Sequence, residues 1–300
     1  MVRYAGGLMA QRIVVVGSAG QLGVELVREF SARGYPVAGL DRSTVDITDE
    51  FKTEQAIAAL EPAVVLNAAA YNQVDLAEAE PLNAFMVNGL GVRNLALACR
   101  QSGARLVQFS TDYVFDGETS LPYVEEDPPH PLCAYGVSKL AGEAFARAYL
   151  DDVLIIRTSG VYGPGGLKNN RGNFVELMLR MAAEKKTIRL VEDFVGSPTF
   201  APLLAARTAD LVERRAAGLF HIGGGAPISW FDFAKRIFAV AGIKRPALQA
   251  VSEREYRAAA RRPKYTALSN RKMERLGLPP MPPVDDALKM YFAERTLQTR

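Results

Sequence analysis

The chain has 300 residues, 49% hydrophobic and 23% charged, which suits one large globular unit with a sizeable core or one such unit with a small appendage. Its net charge of +3 is small and its basic residues are scattered, which argues against a nucleic-acid surface. No apolar run reaches the roughly 20 residues that cross a bilayer, residues 1–10 lack a signal-peptide pattern, and two cysteines without a pairing pattern, Cys99 and Cys133, fit a reducing, cytoplasmic setting.

Residues 1–11 read as an N-terminal extension, with Met9 an alternative start. Residues 12–17, Arg-Ile-Val-Val-Val-Gly, are β-branched, short and closed by glycine, and predict a buried strand. Gly17-Ser-Ala-Gly20-Gln-Leu-Gly23 follows, then a helical pattern through Leu22, Leu26, Val27 and Phe30 to Arg33. Strand, glycine turn and helix in this order are the context of a dinucleotide fingerprint. Gly17 permits the tight turn, Gly20 lets backbone approach a pyrophosphate, and Gly23 lets helix pack on strand. The helix start then offers free N–H groups to the phosphates. The spacing is Gly-x-x-Gly-x-x-Gly rather than the common Gly-x-Gly-x-x-Gly.

A second strand spans 36–40 and ends in Asp41-Arg42. An acid here binds ribose hydroxyls, and an arginine beside it binds a 2′-phosphate, so NADH and NADPH both stay open. Asp49 predicts an N-cap for a helix to Leu60, while Asp46 and Ile47 serve either that capping segment or the edge of an adenine pocket. A third strand, 63–67, runs into Ala68-Ala69-Ala70. Small side chains at that strand's carboxyl end admit a flat cofactor or a close strand–helix junction. Residues 75–80 read as a solvated face. Pro81 starts one long helix to Ala98, with Asn88 at a helix bend, near the active site or at the surface.

Residues 106–110 form the fourth strand, leading into Thr111-Asp-Tyr-Val-Phe-Asp116-Gly117, a proline-rich loop, and a helix over 132–150 that opens with Tyr135-Gly-Val-Ser-Lys139. Tyr135 and Lys139, four apart, share a helix face. An ammonium beside a phenol favours its ionised form, which suits Tyr135 to proton transfer. Thr111, at a strand end, can hydrogen-bond the same substrate oxygen. A fifth strand spans 153–158. Alternating strands and helices predict a parallel sheet covered on both faces, a Rossmann-type, doubly wound α/β fold. After Thr158 the pattern changes: a Gly- and Asn-rich loop over 160–172, then helices at 174–183, 200–212, 230–241 and 284–292 and strands at 187–191 and 218–222. Residues 12–159 therefore read as the dinucleotide-binding domain, and 160–300 mainly as a smaller α/β substrate-binding region with segments returning to the first. His221 reads as a packed or exposed strand-end residue, and Trp230 as helix-start packing rather than a stacking platform. No cluster has metal-ligand spacing.

These motifs resemble the extended short-chain dehydrogenases/reductases, and among them the dTDP-4-dehydrorhamnose reductases. The resemblance runs from Arg12 to about Phe292. It rests on Gly17 to Gly23, Asn67-Ala-Ala-Ala-Tyr71, Ser110 to Gly117, Tyr135 to Lys139, Arg157-Thr-Ser159, Asn173-Phe174, Gly196-Ser-Pro-Thr199 and Arg261-Arg262-Pro263. It implies reduction of the 4-keto group of dTDP-4-dehydro-6-deoxy-L-mannose to dTDP-L-rhamnose by NADPH or NADH. Thr111, Tyr135 and Lys139 would be catalytic. Gly17, Gly20, Gln21, Leu22, Asp41, Arg42, Asp46, Ile47, Ala68, Ala69 and Ala70, with Tyr135 and Lys139, would hold the cofactor. Asp112, Tyr113, Asn173 and Arg262 would contact the nucleotide sugar. The family also implies homodimers, in some members aided by Mg2+, for which this sequence offers no ligand set. A tryptophan usual in the family after Arg-Thr-Ser is here Gly160; residues 165–170 are inserted; and Phe194 departs from the usual pattern before Gly196. All three departures lie on the substrate side. Two alternatives stay open: another nucleotide-sugar 4-keto reductase or epimerase, and a non-catalytic regulatory homologue.

Overall fold

The structure is a computed structural model that describes residues 11–165, 172–184, 187–244, 246–256 and 258–298. The expected N-terminal extension and most of the inserted 165–170 loop lie outside these residues. The first half alternates as the pattern requires: β1 (Ile13–Val16), α1 (Gln21–Ala32), β2 (Val37–Leu40), α2 (Glu50–Leu60) and β3 (Val64–Asn67). After α3 (Val74–Ala79) and α4 (Pro81–Phe85) come α5 (Gly91–Ser102), β4 (Arg105–Thr111), α6 (Ala134–Tyr149) and β5 (Leu154–Thr158). Asp49 caps α2, its carboxylate accepting from Lys52 N at 3.1 Å.

The second half holds α7 (Phe174–Ala183), β6 (Ile188–Val191), β7 (Val195–Gly196), α8 (Ala201–Glu213) and β8 (Gly218–His221). Then follow β9 (Ile228–Ser229), α9 (Trp230–Val240), β10 (Leu248–Val251), α10 (Glu253–Tyr256), α11 (Arg271–Arg275) and α12 (Val284–Gln298).

Six parallel strands form the main sheet in the order β2-β1-β3-β4-β5-β8. Successive residues of β1 face opposite sides. Ile13 and Val15 enter one core with Leu26, Phe30 and residues of α8, while Val14 and Val16 enter the other with residues of α2 and α5. Both faces are thus covered, the arrangement of a Rossmann-type doubly wound sheet. The eighth strand and α8 come from the C-terminal half and complete this unit. A third core gathers Tyr162, Phe200, Phe233 and Tyr291 from segments after β5, beside short sheets β10-β6 and β7-β9.

The helix expected over 81–98 is interrupted. Residues Met86–Leu90 form a π-helical turn, and Asn88 sits in it, 1% exposed. Its side chain accepts from Tyr71 N at 2.9 Å and donates to Tyr71 O at 2.8 Å and Ser138 Oγ at 3.0 Å. The extra residue of the π turn re-aims Asn88 onto the β3 loop, a common use of such turns. Residues 75–80 are the expected solvated face, all exposed but Ala77, and they carry one tertiary tie. Asp75 receives both guanidinium arms of Arg262, at 2.8 and 2.7 Å, which ties α3 to the chain beyond α10.

Candidate functional site

Chain winding reverses between β1 and β3, with β2 on one side and the later strands on the other. In open parallel sheets ligands bind past the carboxyl ends of strands at such a switch point. A cavity of about 920 Å³ lies there. Its wall is assembled strand by strand. Asp41 and Arg42 follow β2, Gly17 to Leu22 follow β1, Ala68 to Ala70 follow β3, Thr111 to Tyr113 follow β4, and Thr158, Gly160 and Val161 come from the end of β5.

Gly17 has φ +77°, and a Cβ there would meet Ala69 N at 2.6 Å. A Cβ on Gly23 would lie 2.1 Å from Gly17 O. Both positions therefore require glycine for the turn to close against β3 and the helix to start beneath it. The N-cap of α1 is Gly20, with no side-chain acceptor for the first-turn N–H groups. These donors face the cavity, which makes the turn a ready anion cradle. Asp41 is held by Ser43, whose N and Oγ donate to its Oδ1 at 2.8 and 2.6 Å, and these bonds keep its carboxyl below the usual range. Asp46 and Ile47 share the same wall.

Thr111, Tyr135 and Lys139 meet in the middle of the cavity wall. Thr111 Oγ1 donates to Asp112 Oδ1 at 3.0 Å and accepts from Tyr113 N at 3.2 Å. The Tyr135 phenol lies beside the Thr111 hydroxyl, and its ring stands edge-on to Tyr113 with centroids 5.9 Å apart. Burial pushes the phenol's pKa up, and the neighbouring Thr111 hydroxyl only partly opposes this. This corrects the expectation that Lys139 draws Tyr135 toward ionisation. Lys139 is 4% exposed, and its ammonium donates to Phe109 O at 2.7 Å. Burial lowers its own pKa to about 8, against the pull of the Glu143 carboxylate one turn on.

Asp112 is buried with both oxygens engaged: Ser159 Oγ donates to Oδ2 at 2.7 Å, and Thr111 holds Oδ1. Burial raises its pKa, while hydrogen bonds from Thr266, Ser159 and Thr111 favour the carboxylate. Beyond β5, Gly160 has φ +50°, and a Cβ there would touch Trp230 Cη2 at 2.9 Å. The indole therefore occupies the space over Gly160, and Phe194, Val195, Pro263 and Thr266 complete that end of the wall. Buried hydroxyls of Ser110 and Thr158, also on the wall, have no partner in the protein. Among the described residues, no three His, Cys, Asp or Glu side chains are grouped to hold a metal ion. Among the same residues, no helix is long and apolar enough to cross a membrane.

The family described as RmlD substrate binding domain matches residues 11–297. A dTDP-4-dehydrorhamnose reductase of Streptomyces griseus is 38% identical over 276 residues, covering 90% of this chain and 89% of the relative. The chain belongs to the dTDP-4-dehydrorhamnose reductase family. A spore coat polysaccharide biosynthesis protein of Bacillus subtilis, SpsK, is also 38% identical, over 95% of this chain and 98% of its own. Among solved structures, the dTDP-4-dehydrorhamnose reductase of Bacillus anthracis in complex with NADP superposes with a TM-score of 0.90. It is 36% identical and covers 95% of this chain and 99% of that one.

In this member of the reductase family, all the residues expected at a cofactor line one cavity with Thr111, Tyr135 and Lys139, and Asp112 and Tyr113 join them. Asn173 and Arg262 are not part of that wall. Asn173 caps α7, accepting from Glu176 N at 3.1 Å and donating to Gly163 O at 3.0 Å. Arg262 is engaged by Asp75. Trp230 and Thr266 reach the wall without having been singled out for it, and Phe194, noted only as a departure from the family pattern, joins them. All three come from remote segments with no local signature, while Ser159, from the Arg157-Thr-Ser159 motif, is off the wall and donates to Asp112.

Proposed function

We propose that this protein reduces the 4-keto group of dTDP-4-dehydro-6-deoxy-L-mannose to dTDP-L-rhamnose, using NADPH or NADH. The observation that carries this reading is the convergence of Thr111, Tyr135 and Lys139 on the cavity that begins at the uncapped glycine turn. The glycine cradle, the free N–H groups of α1 and the Asp41-Arg42 pair fit a dinucleotide. Gly17, Gly20, Gln21 and Leu22 would hold its pyrophosphate, Asp41 and Arg42 its adenosine ribose, and Asp46 and Ile47 its adenine. Ala68 to Ala70 would leave room for the chain of the cofactor across β3. An ammonium carries three donors, so the Lys139 contact to Phe109 leaves capacity for the hydroxyls of the second ribose. When bound, the reduced nicotinamide supplies the hydride.

The protein's own groups manage the charge and the proton. As the carbonyl oxygen becomes negative, Thr111 donates a hydrogen bond to it and Tyr135 transfers its phenolic proton to it. Thr111 has a single hydroxyl proton, so serving the substrate means releasing its bond to Asp112. The raised pKa of Tyr135 keeps the phenol protonated at neutral pH, as a proton donor for reduction must be. Residues 12–159 with the returning α8 and β8 would form the cofactor-binding part, and the remainder of 160–300 the sugar-nucleotide part. The reading includes a cytoplasmic location and a homodimer.

The test follows NADPH and NADH absorbance with dTDP-, GDP- and UDP-linked 4-keto sugars. Turnover on the dTDP-linked sugar, with Tyr135→Phe slower by about 10²-fold or more at unchanged cofactor binding, supports the assignment. Full activity in Tyr135→Phe refutes Tyr135 as the acid. Cofactor that stays tightly bound as NAD+ and is never consumed identifies an epimerase instead.

A further inference from the structure

We propose that Trp230 is the platform on which the sugar ring of the substrate lies, and that it sets which keto sugars the cavity accepts. This deepens the reductase reading and rests on it. The strand order lays the cavity out along one line, from Asp41 past the glycine turn to Thr111 and then to Gly160. The part on the β2, β1 and β3 side has the features of a dinucleotide cradle. A sugar whose carbonyl reaches Thr111 and Tyr135 must therefore extend toward β5 and beyond, and the surface met there is the indole of Trp230.

Three features make this indole a built surface. It is fixed at the first position of α9, where Trp230 N donates to Phe194 O at 3.1 Å and Ser229 caps the helix. Behind it, Phe174 packs with ring centroids 4.8 Å apart and Phe233 at 6.1 Å, so the ring has little freedom to swing. The tip of the ring lies over Gly160, which with φ +50° and no side chain admits Cη2 where a Cβ would be 2.9 Å away. The residue remains half-buried and lines the cavity. A rigid aromatic face suits the C–H face of a pyranose, and a 6-deoxy sugar adds a methyl group to that apolar contact. Asp112 and Thr266, on the same wall, supply polar groups for the sugar's hydroxyls.

Trp230 is the chain's single tryptophan, which makes its emission a direct reporter. The unmutated protein, saturated with NADP+, is titrated with dTDP-L-rhamnose and separately with dTDP. A change in indole emission with dTDP-L-rhamnose that dTDP alone does not give supports the platform. In parallel, Trp230→Ala raises KM for the keto sugar about 10-fold, Trp230→Phe raises it by less than about 3-fold, and both leave KM for NADPH unchanged. An emission response identical for dTDP and dTDP-L-rhamnose, or none to either, overturns the proposal when the wild type reduces the keto sugar normally. Unchanged KM in a folded Trp230→Ala does the same. A wild type that reduces no keto sugar at all overturns the reductase reading, and the platform with it.

Discussion

Lys139 should make the protein less stable than it would be without it. The residue is 4% exposed, and burial lowers its pKa from 10.5 to about 8. With each tenfold change in a proton equilibrium equal to about 1.4 kcal/mol, the difference corresponds to about 3 kcal/mol at neutral pH. The sign follows from proton linkage. Between pH 8 and 10.5 the unfolded chain binds more protons at this site than the folded one, so stability rises with pH through that window. Below pH 8 the penalty is present in full. Replacing Lys139 by Met, which keeps an unbranched stem, removes it. The loss to be set against this is small, because Phe109 O also accepts from Gln108 Nε2 at 2.8 Å and keeps a partner. A net gain of about 1–2 kcal/mol is expected after that lost bond is subtracted. At about 2–4 °C per kcal/mol, the apoprotein's Tm rises by about 2–8 °C while turnover is lost. The assay is thermal unfolding of cofactor-free protein at pH 7 and at steps up to pH 10.5. A Tm for Lys139→Met at or below the wild type at pH 7, or a gap that fails to narrow with rising pH, refutes the argument.

Two further outcomes follow from other buried or charged groups. Glu143 is fully buried and accepts from Arg157 Nε and Nη2, both at 2.8 Å; Glu143→Ala strands the buried guanidinium and costs about 3–5 kcal/mol in denaturant unfolding, whereas a paired replacement of both residues by Met recovers most of it. Arg42 lies on the cavity wall beside Asp41; if it holds a 2′-phosphate, Arg42→Ala weakens NADPH binding by about 10-fold in a fluorescence titration and leaves NADH binding unchanged.

The cofactor half of the cavity was legible because its determinants are local. Gly17, Gly20 and Gly23 lie within one strand–turn–helix unit, so the contacts that demand glycine are made over a few residues. The chemistry at Thr111, Tyr135 and Lys139 was legible as residue types, but the charge state of Tyr135 was not. A helix wheel places Lys139 beside Tyr135; it does not show that the ammonium turns to Phe109 O or that burial outweighs the neighbouring charge. The π turn was hidden for a related reason. Residues on both sides of Asn88 keep a helical pattern, and one added residue alters the phase without breaking it.

The substrate half resisted because its wall is made by contacts between distant segments. Asn173 and Arg262 have side chains that suit a sugar diphosphate, yet each is held within the protein: one completes a helix start, the other an ion pair with Asp75, 187 positions away in sequence. Trp230 presents the opposite case. As the first residue of an amphipathic helix it has every mark of packing, and it does pack on Phe174 and Phe233. What brings it to the cavity is a missing side chain some seventy positions earlier, at Gly160. A position without a side chain carries no positive signal, so its effect on the wall becomes visible only when β5 and the start of α9 are brought together. On the platform proposal, substrate preference turns on this pair of residues, and a change at either one moves the same surface.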